Sequence, residues 1–171
     1  WNGIYFHDLS DYNGATSLLT HCVVRKASIC NIKSESSSQP VLDHCTISES
    51  TGAGLLINNS TLTISNSSFT NNSIYGIRLE GTGTATIGNT DALTCNLYNN
   101  GGGSRFYNTP PANVNARYNF WGSGDSTMVS LAIFDKSDNA AKGRVYFSPF
   151  AQVPSMLTTN TVKSGTVKYA N

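Results

Sequence analysis

The sequence predicts an all-β solenoid of parallel strands with a short helix closing its C-terminal end, and three observations predict it. One phrase recurs at a spacing of 22 to 23 residues, as SLLTHCVVRKASICNIKS (17–34), PVLDHCTISESTGAGLLI (40–57) and LTISNSSFTNNSIYGIRL (62–79). Inside each copy apolar residues alternate over short distances, as Cys45 and Ile47, Leu55 and Ile57, or Ile77 and Leu79 do, which is the period of a strand. Beyond Val114 the repeat gives way to a segment of different character that contains a helical pattern.

Aligning the copies on His21, His44 and Asn66 sorts the apolar residues into columns: Leu19, Leu42 and Ile64; Val24, Ile47 and Phe69; Ile32, Leu55 and Ile77. Each column is expected to be a ladder of side chains stacked inside the solenoid. Cys22, Cys45 and Cys95 fall in a further inward column, with Ser67 between the last two. Strands are expected near 22–24, 45–47 and 67–69, parallel and in register. Ten residues after each aligned His or Asn sits Asn31, Gly54 or Gly76, types that tolerate positive φ, so a backbone corner is expected there. A looser fourth coil places TATI (84–87) and TCNL (94–97) on the same frame, with residues 88–93 inserted as a loop, and GIYF (3–6) repeats the GLLI and GIRL phrases. So short a repeat cannot close a core alone; stacking on its neighbours buries a continuous one. Every coil lacks the L-x-x-L-x-L frame of leucine-rich repeats, and a β-sandwich gives no reason for columns to match at fixed spacing.

Composition bounds the partners. Of 171 residues 39% are hydrophobic and only 12% charged, enough apolar surface to exclude disorder and few enough ions that Ser, Thr, Asn and Gly must supply solubility. The formal net charge is +1 and no run of Lys or Arg offers a phosphate footprint, so neither nucleic acid nor an anionic membrane is an expected partner. No apolar run approaches the ~20 residues that span a bilayer, and no leader opens the chain. Cys22, Cys30, Cys45 and Cys95 lack the C-x-x-C spacing of zinc and redox sites. Such a polar, weakly charged chain is expected to be exported, outside the cell or on its surface.

The segment VNARYNFWGSGDSTMVSLAIFDKSDNAAKGRVYFSPF (114–150) holds an N-x-W-G phrase, a short helical stretch, an I-x-D and a G-x-V-x-[YF]-x-P-[FL] close. Asn119, Trp121, Gly122, Asp125, Ile133, Asp135, Gly143, Val145, Phe147 and Pro149 carry the pattern. In these residues the chain resembles the ending of pectin-lyase-like right-handed parallel β-helix proteins, and with the coils the resemblance covers residues 1 to about 150. β-helix coils are expected over 1–122, with further coils upstream because the first would otherwise leave an open sheet edge, a C-terminal cap over 123–153, and a tether or the start of a following module over 154–171. It implies no one function, because that fold hosts lyases, hydrolases, adhesins and phage spikes. A cap is also a physical need, since an uncovered last coil exposes apolar side chains and unpaired strand groups. Within 126–134, Val129 and Ile133 stand i,i+4 on one expected helical face, Asp125 is placed as N-cap, and Trp121 and Phe120 join the seal.

Lyases of this kind need clustered carboxylates for calcium and a basic residue, and the related hydrolases need paired carboxylates. Asp43 aligns with Thr20 and Ser65, and Glu49 with Lys26 and Asn71, so no two carboxylates are expected to share a column. The N-x-D, D-D, G-H-G and R-x-K signatures are missing, so neither catalytic residues nor a metal or cofactor site is expected, and Asp135 and Asp138 are assigned to the cap. His21 and His44 share a column where two imidazoles could hold a metal; a corner ladder continued by Asn66 is the expected use. Lys26 and Glu49 are expected to form a surface pair worth ~0–1 kcal/mol. Rungs ~4.8 Å apart permit a Cys22–Cys45 disulfide by distance, yet parallel side-chain vectors strain it, so free thiols are expected. Asn58, Asn59, Asn66 and Asn71 open N-x-[ST] sequons, leaving glycosylation open. Tyr75, Tyr98 and Tyr107 are candidate glycan contacts. The expected function is a non-catalytic structural or adhesive module that meets polysaccharide, or neighbouring copies through the solenoid ends. The alternative is part of a polysaccharide lyase or glycoside hydrolase with its catalytic coils upstream.

Overall fold

A computed structural model describes residues 1–8, 16–101 and 105–156. Strand β1 (Ile4–Phe6) precedes three turns of three strands each: β2 (Leu18–Thr20), β3 (Val23–Arg25) and β4 (Cys30–Glu35); β5 (Val41–Asp43), β6 (Thr46–Ser48) and β7 (Ala53–Asn58); β8 (Thr61–Ser65), β9 (Ser68–Thr70) and β10 (Tyr75–Glu80). β11 (Thr84–Ile87), β12 (Asn96–Tyr98) and β13 (Phe106–Asn108) make another, followed by β14 (Val114–Asn115), helix α1 (Ser126–Leu131), β15 (Ile133–Phe134) and β16 (Val145–Tyr146). Equivalent strands of adjacent turns pair in parallel. They build a six-stranded sheet A (β1-β4-β7-β10-β13-β15), a six-stranded sheet B (β2-β5-β8-β11-β14-β16) and a four-stranded sheet C (β3-β6-β9-β12). The all-β solenoid class stands.

The period of two along each strand sends alternate side chains inward, and the register stacks them. Val24, Ile47, Phe69 and Leu97 oppose one another across sheet C; Leu19, Leu42, Ile64 and Ile87 do so across sheet B. In sheet A the inward row is Ile4, Ile32, Leu55, Ile77, Phe106 and Ile133. Most of these side chains are wholly buried in one continuous core. Strands β3, β6 and β9 begin one residue later than the sequence pattern suggests, because Cys22, Cys45 and Ser67 complete the bend before them.

The corner ladder expected at His21, His44 and Asn66 is present, whereas the corner expected at Asn31, Gly54 and Gly76 is not. Asn31, Gly54 and Gly76 lie inside β4, β7 and β10 and turn nothing. Left-handed positions include His21, His44 and Asn66 (φ 54°, 52° and 47°) between sheets B and C, and Lys26, Glu49, Asn71 and Asn99 (63°, 58°, 57° and 53°) between sheets C and A. Each such non-glycine residue costs roughly 1–2 kcal/mol, which the stacked neighbours must offset. Gly54 and Gly76 are glycine because of close approach: a Cβ on Gly54 would sit 2.6 Å from Asn72 Nδ2, and one on Gly76 2.7 Å from Asn100 Nδ2.

Two internal polar ladders hold these corners. Asn72 Oδ1 accepts from Ser50 N at 3.1 Å and Asn100 Oδ1 accepts from Asn72 N at 3.0 Å, while their amide groups donate to Ile47 O and Phe69 O. Asn31 does the same for Ala27 N at 3.0 Å. At the other corner Ser67 Oγ accepts from Cys45 N, Cys95 Sγ from Ser67 N, and Asn119 Oδ1 from Cys95 N at 3.1, 3.5 and 2.7 Å. Side chains thereby satisfy buried N–H groups that the turning backbone leaves over.

Asp125 caps α1, its Oδ1 accepting from Thr127 N at 2.7 Å and Met128 N at 3.4 Å, and Val129 is buried in the core. Ile133, expected on that helix, is instead the last rung of sheet A opposite Phe106. The helix stops at Leu131 because Arg105 N donates to Ala132 O, drawing the chain back into strand pairing. Coil structure thus runs on inside the stretch assigned to the cap, with Trp121 buried edge-on to Phe106 at 6.1 Å. Ser155 exchanges two hydrogen bonds with Asn96, so the expected tether touches the coils at that residue while Met156 beside it is exposed; 157–171 lie outside the described residues.

Candidate functional site

The outer face of sheet A gathers more chemistry than any other surface described. Its central row is Tyr5, Lys33, Leu56, Arg78, Tyr107 and Phe134, in register along the axis. Glu35, Asn58 and Glu80 run beside it. Residues two apart on a strand point the same way, so KSE (33–35) and RLE (78–80) each place a cation beside an anion. Lys33 Nζ lies 2.5 Å from Glu35 Oε2, Arg78 pairs with Glu80, and His7 Nε2 lies 2.9 Å from Glu35 Oε1. The Lys33 ammonium holds the Glu35 carboxyl below its ordinary range, and Glu35 in turn raises Lys33. Glu35 and Glu80 share a column with Asn58 between them, which corrects the expectation that no two carboxylates do. Their period-two spacing from Lys33 and Arg78 was visible in the sequence; the intervening Asn58 hid the column.

Tyr107 stacks on Phe134 with ring centroids 4.5 Å apart and meets Tyr75 at 4.9 Å. The Arg78 guanidinium sits 5.5 Å and 5.8 Å from the Tyr75 and Tyr107 centroids, within cation–π range. Ring faces are thus largely occupied by one another, and edges and hydroxyls are what a ligand would meet. Tyr98 is apart from this cluster, in β12 of sheet C and edge-on to Phe120 at 5.8 Å.

At the corner between sheets B and C, His21 and His44 stack with centroids 4.7 Å apart and planes 5° from parallel. Lone pairs lying in parallel ring planes do not converge, so the pair serves as a ladder rather than a metal clamp. Asp43 joins it: burial raises its pKa, but hydrogen bonds from Ser65 Oγ (2.6 Å), His44 Nδ1 (2.7 Å) and Asn66 Nδ2 (3.0 Å) outweigh this and leave it lowered. Among the described residues no group of three His, Cys, Asp or Glu could hold a metal ion.

The other candidates are spoken for structurally. Cys22, Cys30, Cys45 and Cys95 are free thiols; burial pushes Cys45 up to about 11 and Cys95 up to about 12, far from a reactive thiolate. Lys26 Nζ lies 3.6 Å from Glu49 Oε2 on the exposed corner. Asp135 accepts from Ser137 N and Val145 N, and Asp138 from Asp135 N, tying β15 to β16. Of the sequon asparagines, Asn59 accepts from Thr82, Asn66 donates to Asp43, Asn58 stands in the sheet A row, and Asn71 is exposed at its corner.

A family profile described as a right-handed β-helix region matches residues 2–92, more than half of the chain. Searches of curated proteins and of solved structures returned no significant match. Stacked parallel strands, inward ladders and this match agree, and the chain belongs to the right-handed β-helix family.

Proposed function

We propose that this chain is a non-catalytic structural and adhesive β-helix module of an exported protein, and that the outer face of sheet A meets polysaccharide. The supporting observation is the state of that face: each cation is matched by a carboxylate two residues away, and the rings brace one another. What remains outward is a rigid, near-neutral row of hydroxyl, amide and paired ions, suited to hydrogen-bonding sugar hydroxyls. A hydrolase is favoured by one observation, that Glu35 and Glu80 stand two rungs apart. At ~4.8 Å per rung that is about 9.6 Å, close to the roughly 6.5–9.5 Å of inverting enzymes. Such an enzyme needs one carboxyl held protonated beside an ionised one; the depressed Glu35 suits only the ionised role, and Glu80, left as the acid, is ion-paired with Arg78.

The test is a panel of soluble neutral and acidic polysaccharides in affinity electrophoresis, with Asn58→Leu and Arg78→Met beside the unaltered chain and a reducing-end assay run in parallel. Retardation that weakens several-fold in both variants, without new reducing ends, is the expected result. Retardation by none of the panel overturns the adhesive half, and reducing ends lost in Glu35→Gln overturn the non-catalytic half.

A further inference from the structure

A second feature lies where α1 meets β13. A cavity of about 240 Å³ opens there, lined by Asn100, Arg105, Met128, Leu131 and Ala132. Arg105 is fixed at its backbone, its N–H donating to Ala132 O at 2.7 Å and its carbonyl accepting from Gly76 and Ile77. Its guanidinium rests over Gly122 (φ 81°), where a Cβ would lie 3.6 Å from Arg105 Cζ and 2.8 Å from Tyr98 Cβ. The glycine of the W-G phrase therefore leaves the floor on which this cation lies. Arg105 Nε is buried and has no hydrogen-bond partner among the described residues, and Arg105 forms none of the ion pairs found there. Gly102, Gly103 and Ser104, the residues just before it, carry no acid. Partial burial pushes its pKa down. Across the cavity Met128 and Leu131, on the outer side of α1, remain 53% and 69% exposed.

We propose that this cavity is a binding subsite for a small carboxylate with a compact apolar body. The carboxylate accepts from the Arg105 guanidinium in the bidentate manner arginine favours, and the body lies against Met128 and Leu131. This site is separate from the sheet A face and does not depend on its reading.

The experiment is NMR titration of the isotopically labelled chain with benzoate, benzyl alcohol and glucuronate, following Arg105 Nε–H and the amides of Leu131 and Ala132. Benzoate is expected to shift these signals saturably, about tenfold or more tighter than benzyl alcohol, since a hydrogen bond to a charged group carries that difference. Glucuronate is expected to bind weaker than benzoate, and Leu131→Ser, at an exposed position that leaves the fold intact, to weaken benzoate and benzyl alcohol but not glucuronate. Arg105→Met is expected to erase the preference for benzoate over the alcohol. Equal binding of acid and alcohol by the unaltered chain, or no saturable shift, overturns the proposal without recourse to any variant. Glucuronate binding as tightly as benzoate overturns the apolar part.

Discussion

Asn72→Ala tests the corner ladder where it is densest. The Asn72 side chain is buried, accepts from Ser50 N at 3.1 Å and Asn31 Nδ2 at 3.2 Å, and donates to Ile47 O at 3.3 Å and Asn100 Oδ1 at 2.9 Å. Alanine leaves at least two buried donors, Ser50 N and the Asn31 amide, without this acceptor. At about 1–3 kcal/mol for each buried group left unsatisfied, the loss is about 2–6 kcal/mol, the lower end applying if water enters the gap. For a chain of this size each kcal/mol moves the melting temperature by roughly 2–4 °C, so a fall between about 4 and 24 °C is expected by calorimetry. Hydrogen exchange should show the Ser50 amide losing protection first. Asn71→Gly, at the exposed left-handed neighbour, serves as control and should be neutral or stabilising because glycine removes the φ strain. A melting temperature for Asn72→Ala within about 2 °C of the unaltered chain, with Ser50 protection intact, would refute the ladder as a source of stability.

Three other substitutions address other parts of the molecule. Ile47→Ala, between Val24 and Phe69 on a central strand of sheet C, should cost roughly 2–5 kcal/mol in chemical denaturation, because neither neighbouring rung can collapse into the gap; a loss under about 0.5 kcal/mol contradicts its burial. Val129→Asp should place an unpaired carboxylate under α1 and expose the edge-bearing end of the coils, raising light scattering; a soluble monomer with unchanged protection over 114–122 would make the helix a passenger. Asp43 is depressed in the folded chain, so the native state binds fewer protons than the unfolded one. Its stabilisation is complete above the unfolded carboxylate pKa of about 3.9 and is lost as pH falls through the folded value. Asp43→Asn should lose stability at pH 7 and flatten the acid limb of the stability curve; an unchanged limb would place acid sensitivity elsewhere.

The columns were legible from residues alone because burial on one side of a strand writes itself into sequence as an alternation, and stacking repeats that alternation at the period of a turn. Val24, Ile47 and Phe69, or Ile32, Leu55 and Ile77, needed no coordinates to be grouped, and the parallel solenoid follows from their spacing. Corners leave a fainter record: the His21, His44 and Asn66 column was legible as one, and the next corner was not. His21, Lys26, Glu49 and Asn71 all adopt left-handed backbone, yet share no side-chain type, since what permits the conformation is the hydrogen bonding supplied by adjacent turns. Gly54 and Gly76 looked like corner residues and proved to be clearance for Asn72 and Asn100, a distance between turns that no one-dimensional pattern encodes. Ile133 continued a helical period in sequence but joined sheet A, because Phe106 offered it a strand to pair with. The residues by themselves determined what lies inside; tertiary structure decided how the chain turns, that Glu35 and Glu80 share a row, and that Arg105 stands beside an open cavity with no ion pair among the described residues, because each depends on which turn lies next to which.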